Sequence, residues 1–216
     1  MMVGAAARPR RGRPPNPNLR ARILSAALEL FAEQGYDATS VNQVVIRAGV
    51  TKGALYHYFA AKEDLLYEIY RGLLDQQLAD LHRITTEEPD PSRALRAVIN
   101  DLVVTTSRYR REVTVFGRES ARLSPERWHA LQQDWRRYQD VVRGLIRDAQ
   151  QNGMFSAGAS AEVVSWMIFG FTTSLPSWYR PDGPKSPFEI ADEASEFVLA
   201  ALRPDVPDTT EGIPAS

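Results

Sequence analysis

An all-α protein in two parts, a small N-terminal helix-turn-helix head and a larger helical body, is what this 216-residue sequence predicts. Three observations point there. Apolar residues recur at three- and four-residue spacing through most of the chain, as along Leu65, Leu66, Ile69, Tyr70, Leu73, Leu74, Leu78 and Leu81, and no stretch reads as a strand. The stretch TSVNQVVIRAGVTKGALYHYF, residues 39–59, carries the punctuation of two short helices joined by a tight turn. Charge is also unevenly spread. Residues 1–62 hold nine Lys or Arg against three acids, and the remainder holds seventeen against twenty-four. A basic head on an acidic body turns the molecule toward a polyanion and keeps the body away from it.

The elements follow in order. Residues 20–34 form a first helix, with Ile23, Ala26, Ala27, Leu30 and Phe31 on one face and Gly35 as its stop. Ser40 caps a second helix through Val41, Val44, Val45 and Ala48, and Gly49 ends it. After the turn Ala48-Gly49-Val50, Thr51 caps a third helix with Leu55 and Phe59 four residues apart on the inner face. Gly53 leaves the front of this helix bare, so that its backbone can come close to a phosphate or a base edge. Thr51 and Lys52 add a hydroxyl and a cation there, and Tyr56 and His57 can reach phosphate or stack. The competing reading is two short core helices with ordinary surface residues, and His57 alone discriminates nothing.

A long fourth helix opens at Lys62, Glu63 and Asp64, acids that suit a helix N-terminus, and runs to about Ile84. It links head to body. Glu87-Glu88-Pro89-Asp90-Pro91 breaks the chain, and helical spacing resumes from Ser92 through Leu95, Val98, Ile99, Leu102 and Val103. A further segment holds Val113, Val115 and Phe116, and Arg108, Arg110 and Arg111 read as solvated. Pro125 to about Asn152 forms another long helix, whose expected buried face is Trp128, Leu131, Trp135, Tyr138, Val141, Val142, Leu145 and Ile146. Ala161 to about Ser174 is apolar nearly all round and must be covered on most sides. The last helix runs from Pro187 to about Leu202. These last two helices, paired with the same two of a second copy, would make a four-helix dimer seam.

The helices ILSAALELFAEQGYDATSV and TKGALYHYFAAKEDLL resemble the DNA-binding domain of TetR-family transcriptional regulators, over residues 18–78. The chain departs from the family at Asn42-Gln43-Val44-Val45-Ile46, where a charged residue and an Ile-Ala pair are common. Carried over by position, the resemblance implies that Ser40, Thr51, Lys52, Gly53, Tyr56, His57 and Lys62 face double-stranded DNA. It also implies a homodimer, a palindromic operator, repression as the default, and an effector-binding and dimerisation domain over residues 79–203. The C-terminal stretch WMIFGFTTSLPSWYRPDGPKSPFEIADEASEFVLAAL resembles TetR regulators of lipid and sterol catabolism, whose effectors are often acyl-CoA thioesters. The body residues Phe116, Trp128, Trp135, Tyr138, Trp166 and Phe169 are then candidates for an apolar effector pocket. For each of them taken singly, filling the core or the seam is the stronger reading.

Residues 1–17 are too rich in Pro and Arg to fold alone, and 204–216 reads as a disordered tail. Arg11-Gly12-Arg13-Pro14 resembles the core of an AT-hook, in which Arg11 and Arg13 would enter an A·T-rich minor groove. A solubilising arm explains the same composition equally well.

Other classes find little support. Absence of cysteine removes disulfides, thiolate metal sites and a thiol nucleophile. His57, His82 and His129 lack metal-ligand spacing, and neither a Gly-x-Ser-x-Gly elbow nor a phosphate-cradling loop occurs, so neither enzyme chemistry nor a cofactor is expected. No run reaches the roughly 18 apolar residues of a membrane span, and a cytoplasmic location is expected. The remaining rival is a DNA-binding dimer that answers to no effector.

Overall fold

A computed structural model of the chain describes residues 17–204, and within them every regular element is helical. The expectations for the N-terminal arm, including Arg11 and Arg13, and for the tail from 205 lie outside the described residues. The head comprises α1 (Pro17–Gln34), α2 (Val41–Ala48) and α3 (Lys52–Tyr58). α4 (Lys62–Glu87) runs from head to body. The body adds α5 (Pro91–Arg108), α6 (Arg110–Glu119), a 3-10 turn at Ser120–Arg122, α7 (Pro125–Gln151), α8 (Ala161–Trp178) and α9 (Pro187–Ala201). None of the described helices is long and apolar enough to cross a membrane.

Two cores form, and α4 contributes to both. Ile23, Ala27 and Phe31 of α1, Val44 of α2, and Leu55 and Phe59 at α3 pack on Leu65, Leu66, Ile69 and Leu74 of α4. Three body residues complete this head core, namely Val115 of α6, Leu123 after the 3-10 turn, and Leu131 of α7. Farther along α4, Leu81 and Ile84 join the body core with Leu95, Val98, Ile99 and Leu102 of α5, Tyr138, Val142 and Ile146 of α7, and Ile168 and Phe169 of α8. α5 is the central body helix and packs on α4, α7, α8 and α9. Leu78 and Trp135 touch both cores. At about 1.5 Å per residue, the 26 residues of α4 span roughly 39 Å as one rod.

Several boundaries and faces differ from expectation. α1 is already helical at Pro17, the first described residue, rather than from 20. α8 continues past Ser174 to Trp178 with Pro176 inside it. The backbone bond that Pro176 cannot donate is lost, yet Leu175 is fully buried, and Ser174 and Ser177 donate their hydroxyls to the Phe171 and Ser174 carbonyls in the same turn. On α7 the buried stripe is Leu131, Tyr138, Val142, Ile146 and Ala149, and the expected inner residues Trp128 and Val141 are exposed. Arg110, expected in solvent, donates to the Tyr179 carbonyl at 3.2 Å and ties α6 to the end of α8.

Candidate nucleic-acid interface

The turn between α2 and α3 is built from caps at both ends. The Ser40 hydroxyl accepts from the Gln43 N–H at 3.2 Å while the Gln43 side chain accepts from the Ser40 N–H at 2.7 Å, a reciprocal capping box. Gly49 closes α2 in the left-handed conformation, φ 61°, and gives its N–H to the last carbonyls. A side chain at Gly49 would also meet the Arg22 guanidinium at 3.0 Å. The Thr51 hydroxyl then accepts from the Ala54 N–H at 3.1 Å and starts α3.

α3 is held by its inner face and presents its outer one. Leu55 and Phe59 are buried, whereas Thr51, Lys52, Gly53, Tyr56 and His57 are exposed. Gly53 has an ordinary helical backbone and nothing within 4 Å of where a Cβ would stand, so nothing within the described fold requires glycine there. Glycine costs a helix about 0.8–1 kcal/mol relative to alanine. The bare position is therefore paid for without an internal return.

Basic residues of the head, among those described, divide into fasteners and one free charge. Arg47 of α2 reaches Glu29 at 3.2 Å and Glu33 at 3.0 Å on α1. Arg22 donates to the Ala48 carbonyl at 2.6 Å and the Gly49 carbonyl at 3.3 Å, fixing the turn to α1. Arg20 pairs with Glu68. Lys62, expected to face DNA, is instead committed inward, its ammonium donating to the Tyr36 carbonyl at 2.8 Å and the Thr39 carbonyl at 2.9 Å. Lys52 forms no ion pair among the described residues, and its ammonium lies 5.9 Å from the Tyr56 ring centroid. Ser40 and Thr51 are exposed, but their hydroxyls serve as caps. Ile46 of α2, 79% exposed, is a further surface residue of this motif that apolar spacing alone gave no reason to single out.

In the body, the six aromatic residues expected to line one pocket fall into three places. Phe116 stacks on Tyr70 with ring centroids 3.5 Å apart and lies 5.8 Å from Trp128, against the head core. Trp135, Tyr138 and Phe169 pack on one another at 5.4–5.8 Å inside the body. Trp166 faces out, 62% exposed. A cleft of about 420 Å³ opens elsewhere, between α5, α8 and α9, over Ile99, Ile168, Phe171, Ile190 and Val198, with Met167 and Phe197 among its walls. Sequence reading missed it because its walls come from three helices far apart in the chain, each ordinary when taken alone. Beside the Trp135 group, burial and the nearby Asp80 charge raise the Asp101 carboxyl to about 6, against the opposing pull of the Thr105 hydroxyl at 3.4 Å and the Arg83 charge. Burial, then the Asp101 and Asp80 charges, push the Tyr138 phenol well above its ordinary range.

A capped two-helix turn with an exposed, glycine-bearing second helix, carried on a rod that enters a separate helical body, defines a helix-turn-helix transcriptional regulator rather than an enzyme. Comparison with known proteins agrees. Residues 23–69 match the family described as "Bacterial regulatory proteins, tetR family", and residues 88–202 match "Tetracyclin repressor-like, C-terminal domain". The chain belongs to the TetR family of transcriptional regulators. The HTH-type transcriptional repressor KstR2 of Mycobacterium tuberculosis is 26% identical over 90% of this chain and 94% of that protein. Its solved structure, described as a ketosteroid transcriptional regulator, superposes with a TM-score of 0.77 over 86% of this chain and 95% of the other. PfmR of Thermus thermophilus gives 0.76 at 29% identity, covering 84% and 99%. AibR, solved in complex with isovaleryl coenzyme A and operator DNA, gives 0.73 at 26% identity, covering 87% and 100%.

Proposed function

We propose that this regulator is a repressor that binds a palindromic operator as a homodimer and releases it when an apolar, acyl-CoA-type effector enters the body. One observation carries the DNA half: α3 is anchored by Leu55 and Phe59 and turns Lys52, Gly53, Tyr56 and His57 to solvent, and nothing within the described fold requires the bare Gly53. Lys52 contacts phosphate, Gly53 admits close approach of the duplex, and Tyr56 and His57 reach phosphate or base edges. Ser40 and Thr51 lie at the helix starts nearest the backbone, and Arg11 and Arg13 add an arm in the minor groove.

The dimer half is supported by apolar side chains left in solvent on α8 and α9. Trp166 and Phe197 are 62% and 66% exposed, and Val163, Met167 and Phe188 join them. Burying a large apolar side chain stabilises by about 1.5–3 kcal/mol, so pairing these faces in a second copy is strongly favoured. A two-fold dimer sets its recognition helices about 34–36 Å apart, one turn of duplex, which makes the operator a palindrome.

The effector class is supported by the isovaleryl coenzyme A bound to AibR. An effector acts only through its preference for one of two body states, and about 2.7 kcal/mol of preference shifts operator affinity roughly a hundredfold. The mutual packing of Trp135, Tyr138 and Phe169 favours a second reading, a constitutive DNA-binding dimer with a filled core. Footprinting on the DNA upstream of the protein's own coding region, repeated with a panel of acyl-CoAs, tests both halves. A two-fold-symmetric footprint lifted by one of them is expected. No footprint at low salt ends the DNA reading, and a footprint that no acyl-CoA lifts ends the effector assignment. Thermal stabilisation by a ligand separates an effector-binding body from an inert one.

A further inference from the structure

α4 is one physical link between body and head, and the structure contains a second. The corner where α6 passes through the 3-10 turn into α7 grips both the loop between α1 and α2 and the start of α4. Glu119, the last residue of α6, accepts the Tyr36 N–H at 3.3 Å, and a Cβ at Gly35 would stand 3.4 Å from the same carboxylate oxygen. Arg122 pairs with Asp37 of that loop. The Ser124 N–H donates to Glu63 at 2.8 Å. Arg127 pairs with Asp64, lies 3.7 Å from Glu63, and sits 5.2 Å from the Tyr67 ring centroid.

The loop so held is stiff and leads straight into the DNA-contacting motif. Gly35 turns it with φ 85°, the Thr39 hydroxyl donates to the Gly35 carbonyl at 2.7 Å, and Gln34 donates to the Ala38 carbonyl at 3.1 Å. Lys62 clamps its other side through the Tyr36 and Thr39 carbonyls. Thr39 is followed by Ser40, the cap of α2, and the Gly49 turn and the Arg47 pairs bind α2 rigidly to α1. A loop braced in this way passes a displacement on instead of absorbing it.

We infer that Glu119 and Arg122 are positioning residues that couple the body to α3 through the α1–α2 loop, on a path distinct from α4. This rests on the reading of α3 as the DNA-contacting helix. Coupling of this kind is reciprocal: if the corner biases α3, occupancy of α3 must alter the corner.

Amide hydrogen exchange of the full-length protein, with and without the duplex that footprinting identifies, tests the idea without needing an effector. Operator is expected to slow exchange by about fivefold or more in residues 117–130 as well as in 51–60, the lower end of ordinary coupling. Glu119→Ala is expected to keep the slowing at 51–60 and lose it at 117–130, while Glu119→Gln, which retains an acceptor for the Tyr36 N–H, keeps both. Should Glu119→Ala fail to fold, Arg122→Ala, which removes the pair with Asp37, is expected to show the same selective loss. An unchanged corner in the wild type, or the same slowing of the corner in every variant, overturns the inference. Lack of slowing at 51–60 overturns the DNA reading first, and this inference with it.

Discussion

The ammonium of Lys62 lies 2.8 Å from the Tyr36 carbonyl and 4.1 Å from the centroid of the Tyr36 ring, so one side chain at the start of α4 holds the loop that leads into α2. Lys62→Met keeps the stem and removes both bonds. Bonds from a charged donor contribute about 1.5–3 kcal/mol each, less when partly exposed, so a loss of stability of roughly 1–2 kcal/mol is expected. Operator affinity should fall while its dependence on salt stays the same, because the lysine acts on protein carbonyls. A salt slope smaller by about one, measured by titration at several ionic strengths, would instead assign Lys62 to a phosphate.

Gly53→Ala separates stability from function. The variant gains helix propensity and should be as stable as wild type or up to about 1 kcal/mol more so by thermal denaturation. Operator binding should weaken tenfold or more if the duplex approaches that backbone. Unchanged affinity would mean that the bare position has no external use.

Lys52→Ala is expected to lower operator affinity across all sequences and to reduce the salt slope by about one phosphate contact. Stability should hardly change, since Lys52 pairs with no acid among the described residues. A change of sequence preference with an intact slope would place Lys52 on a base edge.

Trp166→Glu together with Phe197→Glu puts charge into the proposed seam. Sedimentation should then show a monomer of unaltered helix content, with operator affinity down at least a hundredfold as the second recognition helix is lost. A dimer that survives both changes would move the interface elsewhere.

Asp101 gives a pH-dependent outcome. Its carboxyl is raised by burial to about 6 from an ordinary 3.8, so between those values the folded state holds more of the proton than the unfolded state does. Stability from this group therefore declines as pH rises from about 4 to 6, and is flat on either side. Asp101→Asn should stabilise the protein near pH 8, on the order of 1 kcal/mol once screening by the solvent it still touches is allowed for, and the gain should vanish near pH 4. Chemical denaturation at the two pH values measures it.

The head was readable from sequence because its signals are local. Ser40, Gly49 and Thr51 act within four residues of themselves, and the structure gives each the capping role that the spacing predicts. The body was readable as helices but not as a site. Whether Trp128 stacks on Phe116, or Trp166 meets solvent, depends on the rotation of one helix against another, which helical period alone does not fix. Lys62 shows the same limit on a smaller scale: a cation beside a DNA-binding motif suggests phosphate, and only the fold reveals two backbone carbonyls within its reach. The passage of α8 through Pro176 was likewise hidden, since a proline reads locally as a breaker until the burial of Leu175 is known.

That one uninterrupted helix feeds two hydrophobic cores has a consequence for how this protein can be taken apart. Severing the chain near Leu78 would part Leu65, Leu66, Ile69 and Leu74 on one fragment from Val115, Leu123 and Leu131 on the other, which complete the same core. Neither half is a natural module. Chimaeras that graft this reader onto a relative's sensor must carry all of Lys62–Glu87, along with the Val115, Leu123 and Leu131 side chains that reach across from the opposite side.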